Sequence, residues 1–147
     1  MTHDKCMFRI VWLVQVWIKW QIVIPKEARS ALWLDTWSDL NVIFNHEKHI
    51  WFIKSEDMEK LMSHISINKW KKDFKMIWIS QVWSKWQIVI PKEARSELNL
   101  EHWTDVAILL VTLEDFSMIW IIRNNHLQDF FNHVNQMMKD VENLTNT

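Results

Sequence analysis

Cationic and amide side chains recur in two matched sets, 66 positions apart in the chain. The sets are Lys19, Gln21, Lys26 and Arg29, and then Lys85, Gln87, Lys92 and Arg95. Lysine and arginine bind phosphate groups, and arginine or glutamine can form paired hydrogen bonds with the edges of bases. These residue types at a repeated spacing indicate a binding surface rather than a reaction centre.

The other reactive residue types do not form a catalytic or metal-binding set. His46 and His49 lie in a predicted hairpin loop, with no second cluster at metal-ligand spacing. His126 and His133 share a predicted helix face and are interpreted as surface histidines. Cys6, the single cysteine, has no identifiable base partner. We therefore expect a protein that is not an enzyme and that uses no metal or other cofactor.

The matched sets belong to an internal duplication. The segment Trp20–Ser30 returns letter for letter as Trp86–Ser96, and 19 of the 25 positions in 15–39 match those in 81–105. Each unit of about 65–70 residues is too small to bury a comfortable core alone, so we expect the halves to associate. The predicted divisions are 1–54 for the first copy, 55–73 for a helix and basic linker, 74–123 for the second copy and 124–147 for a C-terminal amphipathic helix.

Each copy is predicted to be mainly β with short helices. A β-rich run at 8–16 or 74–82 leads through a turn into the short strand QIVI, which is dense in β-branched residues. Pro25 and Pro91 then suit the first position of a short helix. Two more strands follow in each copy, at 40–44 and 50–54, and at 106–113 and 118–123. The run VAILLVTL is nearly continuously apolar, which predicts a strand covered on both faces.

An amphipathic helix is predicted after each copy. In the first, the apolar residues Met58, Leu61, Met62 and Ile65 follow helical spacing. The longer stripe after the second copy consists of Leu127, Phe130, Phe131, Val134, Met138 and Val141. The segment SINKWKKDFK between the copies is polar and basic, which is typical of a linker.

Tryptophan stands at positions where glycine is expected. The chain has twelve Trp and no Gly, and ten of the Trp form matched pairs in the duplication: 12/78, 17/83, 20/86, 37/103 and 51/120. Trp33 follows a short helix, where a left-handed Gly or Asn is favoured, and its counterpart is Asn99. We therefore expect the natural chain to carry Gly at these positions, through a stop-type codon translated as Trp in the printed sequence. The alternative is a Trp-rich chain whose rings stack on bases or sugars.

Charge is segregated within each copy, although the net charge is only −1. Residues 1–30 hold five Lys or Arg against two acids, and 69–97 hold seven against three. Residues 31–68 hold three bases against six acids, and 98–147 hold two against seven. This asymmetry suggests that the basic parts of the two copies form one positive face.

With Trp taken as Gly, the repeated string becomes VGxKGQIVIPKEARS. It then resembles the AbrB/MazE/SpoVT family of DNA-binding domains, whose hallmark is SKGQI-IP-E-R followed by a helix and L-G-x-x-x-G-D. In the first copy the residues that carry the resemblance are Lys19, Trp20, Gln21, Ile22, Ile24, Pro25, Glu27, Arg29, Leu32, Trp33, Trp37 and Asp39. In the second they are Ser84, Lys85, Trp86, Gln87, Ile88, Ile90, Pro91, Glu93, Arg95, Leu98, Trp103 and Asp105. The resemblance covers residues 8–54 and 74–123 and excludes the closing helices.

The resemblance implies a fold and a function. Two copies would interleave their hairpins into one swapped-hairpin barrel with a basic two-fold surface for DNA. Because one chain carries both copies, we expect an intramolecular pseudo-dimer. Lys19, Lys26 and Arg29 with their counterparts would contact duplex DNA, and Gln21 and Gln87 are further candidates for base reading.

The leading hypothesis is a DNA-binding transcriptional regulator in the cytoplasm, associated with the nucleoid. The single cysteine is consistent with a reducing compartment, and the sequence shows neither a signal peptide nor a membrane span. Further partners could be a second copy, giving a dimer of pseudo-dimers, or a toxin bound by the C-terminal helix. The alternatives are an autoregulating antitoxin and an oligomerisation module without DNA binding.

Overall fold

The computed structural model describes residues 7–17, 19–45, 49–65, 74–113 and 115–132. Its strands are β1 (Met7–Gln15), β2 (Gln21–Val23), β3 (Asp39–Asn45), β4 (Ile50–Lys54), β5 (Phe74–Gln81), β6 (Gln87–Val89), β7 (Asp105–Thr112) and β8 (Ser117–Arg123). Its short helices are α1 (Lys26–Leu32), α2 (Met58–His64) and α3 (Lys92–Glu97), with 3-10 turns at Ser55–Asp57, Ser84–Trp86 and Asn124–His126. Residues 127–132 are also helical. The prediction of a mainly β chain with short helices is confirmed.

Six strands form one antiparallel sheet in which the two copies exchange strands. The strand order is β1-β7-β8-β4-β3-β5. Strand β1 of the first copy pairs with β7 of the second, and β5 of the second copy pairs with β3 of the first. Strands β4 and β8 join the two halves at the centre of the sheet, where Trp51 lies opposite Trp120. Each half of the sheet therefore contains strands from both copies.

The remaining two strands form a separate antiparallel ribbon. Ile22 of β2 lies directly opposite Ile88 of β6, its own counterpart in the duplication. The backbone amide of Ile24 donates to the carbonyl of Trp86, and that of Ile90 donates to the carbonyl of Trp20, both at 2.8 Å. The ribbon thus has approximate two-fold symmetry about the Ile22–Ile88 pair. In the described residues the sheet is open, and no closed barrel is seen.

The sheet separates two hydrophobic clusters. Ile22 and Ile88 of the ribbon pack with Phe52 and other sheet residues on one face, and this cluster is drawn from both copies. Leu61 of α2 and Phe130 are buried on the opposite face. The run VAILLVTL alternates between the clusters, with Val106, Ile108 and Leu110 in the first and Ala107, Leu109 and Val111 in the second. The prediction that this strand is covered on both faces is confirmed.

The closing helices follow the sequence prediction only in part. Leu61 is buried, and Met58 and Ile65 pack partly against the second cluster. Met62, however, is 44% exposed, because α2 is only seven residues long and presents a narrow apolar stripe to the sheet. In the C-terminal helix Phe130 is buried, and the predicted stripe beyond residue 132 lies outside the described residues, as does the linker at 66–73.

Among the residues that the structure describes, left-handed backbone occurs at five tryptophans, at Asn99 and at Lys85, whose φ is 65°. Trp33, which ends α1, has φ 54° and ψ 45°, and its counterpart Asn99 has φ 52°. The prediction of a left-handed residue at this helix end is confirmed in both copies. Trp37 and Trp103 have φ of 71° and 68°, while Trp20 and Trp86 have φ of 60° and 59°. An L-residue with a Cβ pays about 1–2 kcal/mol in this region, which glycine enters freely.

The other tryptophans within the described residues lie in ordinary backbone, and their positions in the fold vary. Trp12 and Trp78 border register shifts in β1 and β5, where glycine often marks a β-bulge. Trp51 and Trp120 are buried in neighbouring strands with their rings stacked at 4.5 Å. Left-handed backbone therefore explains why glycine would be favoured at some of the tryptophan positions. It gives no reason for glycine at Trp51 and Trp120, the stacked pair at the centre of the sheet.

A basic side chain holds the end of each short helix in the same way. Lys54 Nζ, at the end of β4, donates to the carbonyl of Trp33 at 3.2 Å. Arg123 Nη1, at the end of β8, donates to the carbonyl of Asn99 at 2.8 Å. A cation here satisfies a carbonyl left without a helical partner and interacts favourably with the helix dipole. The same bond in both copies fixes the helices that follow the ribbon.

Candidate nucleic-acid interface

The ribbon places the two glutamines on its outward surface. In an antiparallel ribbon alternate residues point to opposite sides, so the buried Ile22 and Ile88 turn their neighbours outward. Gln21 and Gln87 are half-buried and lie opposite Val89 and Val23, one on each side of the central isoleucine pair. Their amide groups can both donate and accept hydrogen bonds. The duplicated sequence thus gives a two-fold arrangement of the Gln21 and Gln87 amide groups in the structure.

The four predicted lysines flank the ribbon. Lys19 and Lys85 are exposed in the tight turns that lead into β2 and β6, and Lys26 and Lys92 are exposed at the starts of α1 and α3. Exposed ammonium groups on turns can reach a polyanion without losing their hydration beforehand. We name the surface made by these lysines and the two glutamines the ribbon face.

The two arginines are more enclosed than the sequence suggested. Arg29 is half-buried with its guanidinium 4.8 Å from the ring centre of Trp86, and Arg95 lies 4.5 Å from that of Trp20. The Nε atom of each is buried and has no hydrogen-bond partner among the described residues. Burial lowers the pKa of Arg95, although an arginine remains protonated at physiological pH. Each arginine is thus a charged group that could donate hydrogen bonds to a ligand from its Nη atoms rather than from its buried Nε.

Each end of the ribbon face is built from both copies. The turn of the first copy, with Lys19 and Trp20, lies beside Arg95 of the second, and the turn of the second copy lies beside Arg29 of the first. His102, which the sequence interpretation did not single out, also contacts the first turn, with ring centres 4.3 Å apart between Trp20 and His102. Its counterpart in the duplication is Thr36. The difference between His102 and Thr36 in an otherwise similar repeat is the sequence feature that could have identified His102 as a site residue.

Each short helix beside the ribbon carries an exposed glutamate in its first turn, Glu27 or Glu93. Glu93, on α3, pairs with Lys75 of β5 at 3.6 Å, and both side chains are largely in solvent. An exposed pair of this kind contributes about 0–1 kcal/mol and does not cancel the local positive charge. The cationic groups therefore outnumber the acids along the ribbon and its turns.

The ribbon face carries exposed lysines and half-buried glutamines, with a half-buried arginine beside each turn. In the described part of the chain no group of three or more His, Cys, Asp or Glu is placed to hold a metal ion. The described helices are all too short or too polar to cross a membrane. No family model matches the chain, and no curated protein is significantly similar to it.

Proposed function

We propose that the protein is a DNA-binding transcriptional regulator that contacts duplex DNA through the ribbon face. The observation that carries the proposal is the β2–β6 pairing, which sets Gln21 beside Val89 and Gln87 beside Val23 across one two-fold centre. Duplex DNA presents phosphates in two strands related by local two-fold symmetry, so a two-fold set of cations and amides is complementary to it. Phosphate contacts by the lysines would supply most of the affinity.

The fold that we propose for this function is a single-chain pseudo-dimer of the swapped-hairpin kind. The exchange of β1 and β5 between the copies supports it, because each copy lends a strand to the sheet of the other. The ribbon, made of one short strand from each copy, supports it as well. In this arrangement the two basic segments of the sequence come together, as a polyanion-binding surface requires.

We further propose that glycine stands in the natural protein at the left-handed tryptophans. Support comes from the five Trp with φ between 54° and 71° and from Asn99, the second most favoured residue type, at one equivalent position. With glycine at 20 and 86, the rings over Arg95 and Arg29 would be absent and the guanidinium groups more accessible. The same exchange would bring the repeated string closer to the family hallmark.

The alternative proposal is an antitoxin of the same fold. It depends on the acidic helix predicted for the C-terminal segment as a docking element, and residues 133–147 of that segment lie outside the described residues. The shared fold means that the DNA experiment below does not separate the two roles. Co-purification with the product of a neighbouring gene would separate them.

Binding to DNA should weaken steeply with salt. We expect an anisotropy titration of the full chain, on labelled genomic fragments that include its own promoter, to give a log–log salt slope of about −5 for about six phosphate contacts. The Lys19→Ala/Lys85→Ala variant should lose about two units of that slope, because two of the contacts are removed.

The control for this titration is Lys60→Ala. Lys60 is a cation on α2, whose Leu61 packs against the sheet face opposite the ribbon, and its substitution should leave affinity and slope unchanged. A slope near zero for the parent chain, or equal losses in the two variants, would contradict binding through the ribbon face.

A further inference from the structure

We infer that the chain binds its DNA site in one fixed orientation, because the residues that flank the two ends of the ribbon face differ, above all at His102 and its counterpart Thr36. This inference rests on the proposed DNA-binding function and adds the kind of site that the protein selects, a non-palindromic one. A symmetric protein dimer cannot distinguish the two directions of a site. A single chain with two unequal ends can.

The common part of the two ends is set by the duplication. Residues 19–30 and 85–96 are identical, so both ends carry the same lysines, glutamine and arginine. The ribbon relates them by approximate two-fold symmetry about Ile22 and Ile88. Two inverted half-sites of similar sequence are therefore expected at the centre of the bound DNA.

The differences lie just outside this identical part, which Ile18 precedes in the first copy and Ser84 in the second. The difference that lies against a turn of the ribbon face is the one between His102 and Thr36. At the first end the turn with Trp20 is flanked by Arg95 and by the exposed His102, at 4.5 and 4.3 Å from its ring centre. At the second end the turn with Trp86 is flanked by Arg29, and the residue equivalent to His102 is the exposed Thr36. With glycine at 20, His102 would still lie near this turn, because the backbone amide of the adjacent Trp103 donates to the carbonyl of Val16 at 2.7 Å.

Imidazole and hydroxyl groups do not make the same contacts. A histidine ring reaches farther than a threonine hydroxyl, can stack, and carries two ring nitrogens that hydrogen-bond to phosphate or base edges. The end with His102 can therefore contact a base or phosphate that the end with Thr36 does not reach. One such contact of good geometry discriminates between bases by about tenfold or more.

The test determines the orientation of the bound chain directly. A duplex is first selected by the full chain from a randomised duplex library. An iron–chelate cleavage reagent is then attached at Ser30→Cys or at Ser96→Cys, both exposed and equivalent, in a Cys6→Ser background. We expect each derivative to cleave one side of the end-labelled duplex about tenfold more than the other, and the two derivatives to cleave opposite sides.

The swap variant Thr36→His/His102→Thr identifies the cause. It should exchange the sides that the two derivatives cleave, whereas Glu97→Ala, a second position at which the copies differ, should leave them unchanged. Equal cleavage of both sides by the parent derivatives would overturn the fixed orientation while leaving DNA binding intact. An unaltered pattern in the swap variant would overturn the role of His102, and failure to select any duplex would overturn the proposed function itself.

Discussion

Replacing Trp33, Trp37 and Trp103 by glycine should leave the chain about 3 kcal/mol more stable than replacing them by alanine, about 1 kcal/mol at each site. Each of these residues has a left-handed backbone, which costs a residue with a Cβ about 1–2 kcal/mol, and glycine recovers most of this despite its greater freedom when unfolded. Both replacements remove the same rings, which are 83%, 62% and 55% exposed, so the difference between them isolates the backbone effect. Urea unfolding of the glycine and alanine triple variants, followed by circular dichroism, measures the difference.

Two controls separate the removal of the left-handed backbone penalty from the effect of losing a tryptophan ring. The alanine variant keeps the left-handed penalty at all three positions while losing the same rings. Trp17→Gly/Trp83→Gly removes rings that are 43% and 44% exposed from backbone that is not left-handed. Relative to Trp17→Ala/Trp83→Ala, this variant should be less stable by about 0.5–1 kcal/mol at each site. Equal behaviour of the glycine and alanine series would contradict the glycine proposal.

The protein isolated from its natural source provides an independent measurement of the same proposal. Its intact mass should fall below the 18.0 kDa of the printed sequence by one fixed step for every Trp that is Gly. Peptide mapping would then show which of the twelve positions are exchanged. We expect positions 20, 33, 37, 86 and 103 to be among them.

Phe52→Ala should destabilise the whole chain by about 3–5 kcal/mol in a single transition. Phe52 is fully buried in a cluster to which both copies contribute, so the cavity weakens both halves at once. Thermal unfolding followed at two wavelengths, together with calorimetry, tests for one cooperative unit. The control is Leu13→Ala, which truncates a side chain that is 60% exposed and should change stability by less than about 0.5 kcal/mol. Two separate transitions in the variant would show that the halves fold independently.

The strands were predictable because their patterns are local. The β4 prediction at 50–54 matches the structure, and the others differ by one residue or a few at their ends, where boundaries are least defined by composition. Pro25 lies one position earlier than expected, as the N-cap of α1 rather than its first helical residue. The pairing partners of β1 and β5 could not be predicted, because no feature of a single strand specifies which distant strand it joins.

The candidate site was likewise predictable only in part. Exposure of Lys19 and Lys85 follows from their place in polar turns, which the repeat displays in the sequence. The partial burial of Arg29 and Arg95 could not be predicted, because it depends on a ring supplied by the other copy. His102 was missed for the same reason, since its neighbour Trp20 is more than eighty positions away in the chain.

The exchange of strands within one chain changes how the assembly responds to dilution. When two separate chains complete each other, their pairing depends on protein concentration and is lost when the protein is scarce. Here the partner of each half is tethered to it, which keeps its effective concentration high and independent of how many molecules a cell contains. A few copies per cell would therefore remain fully assembled, with no pool of separated halves to mispair with other chains.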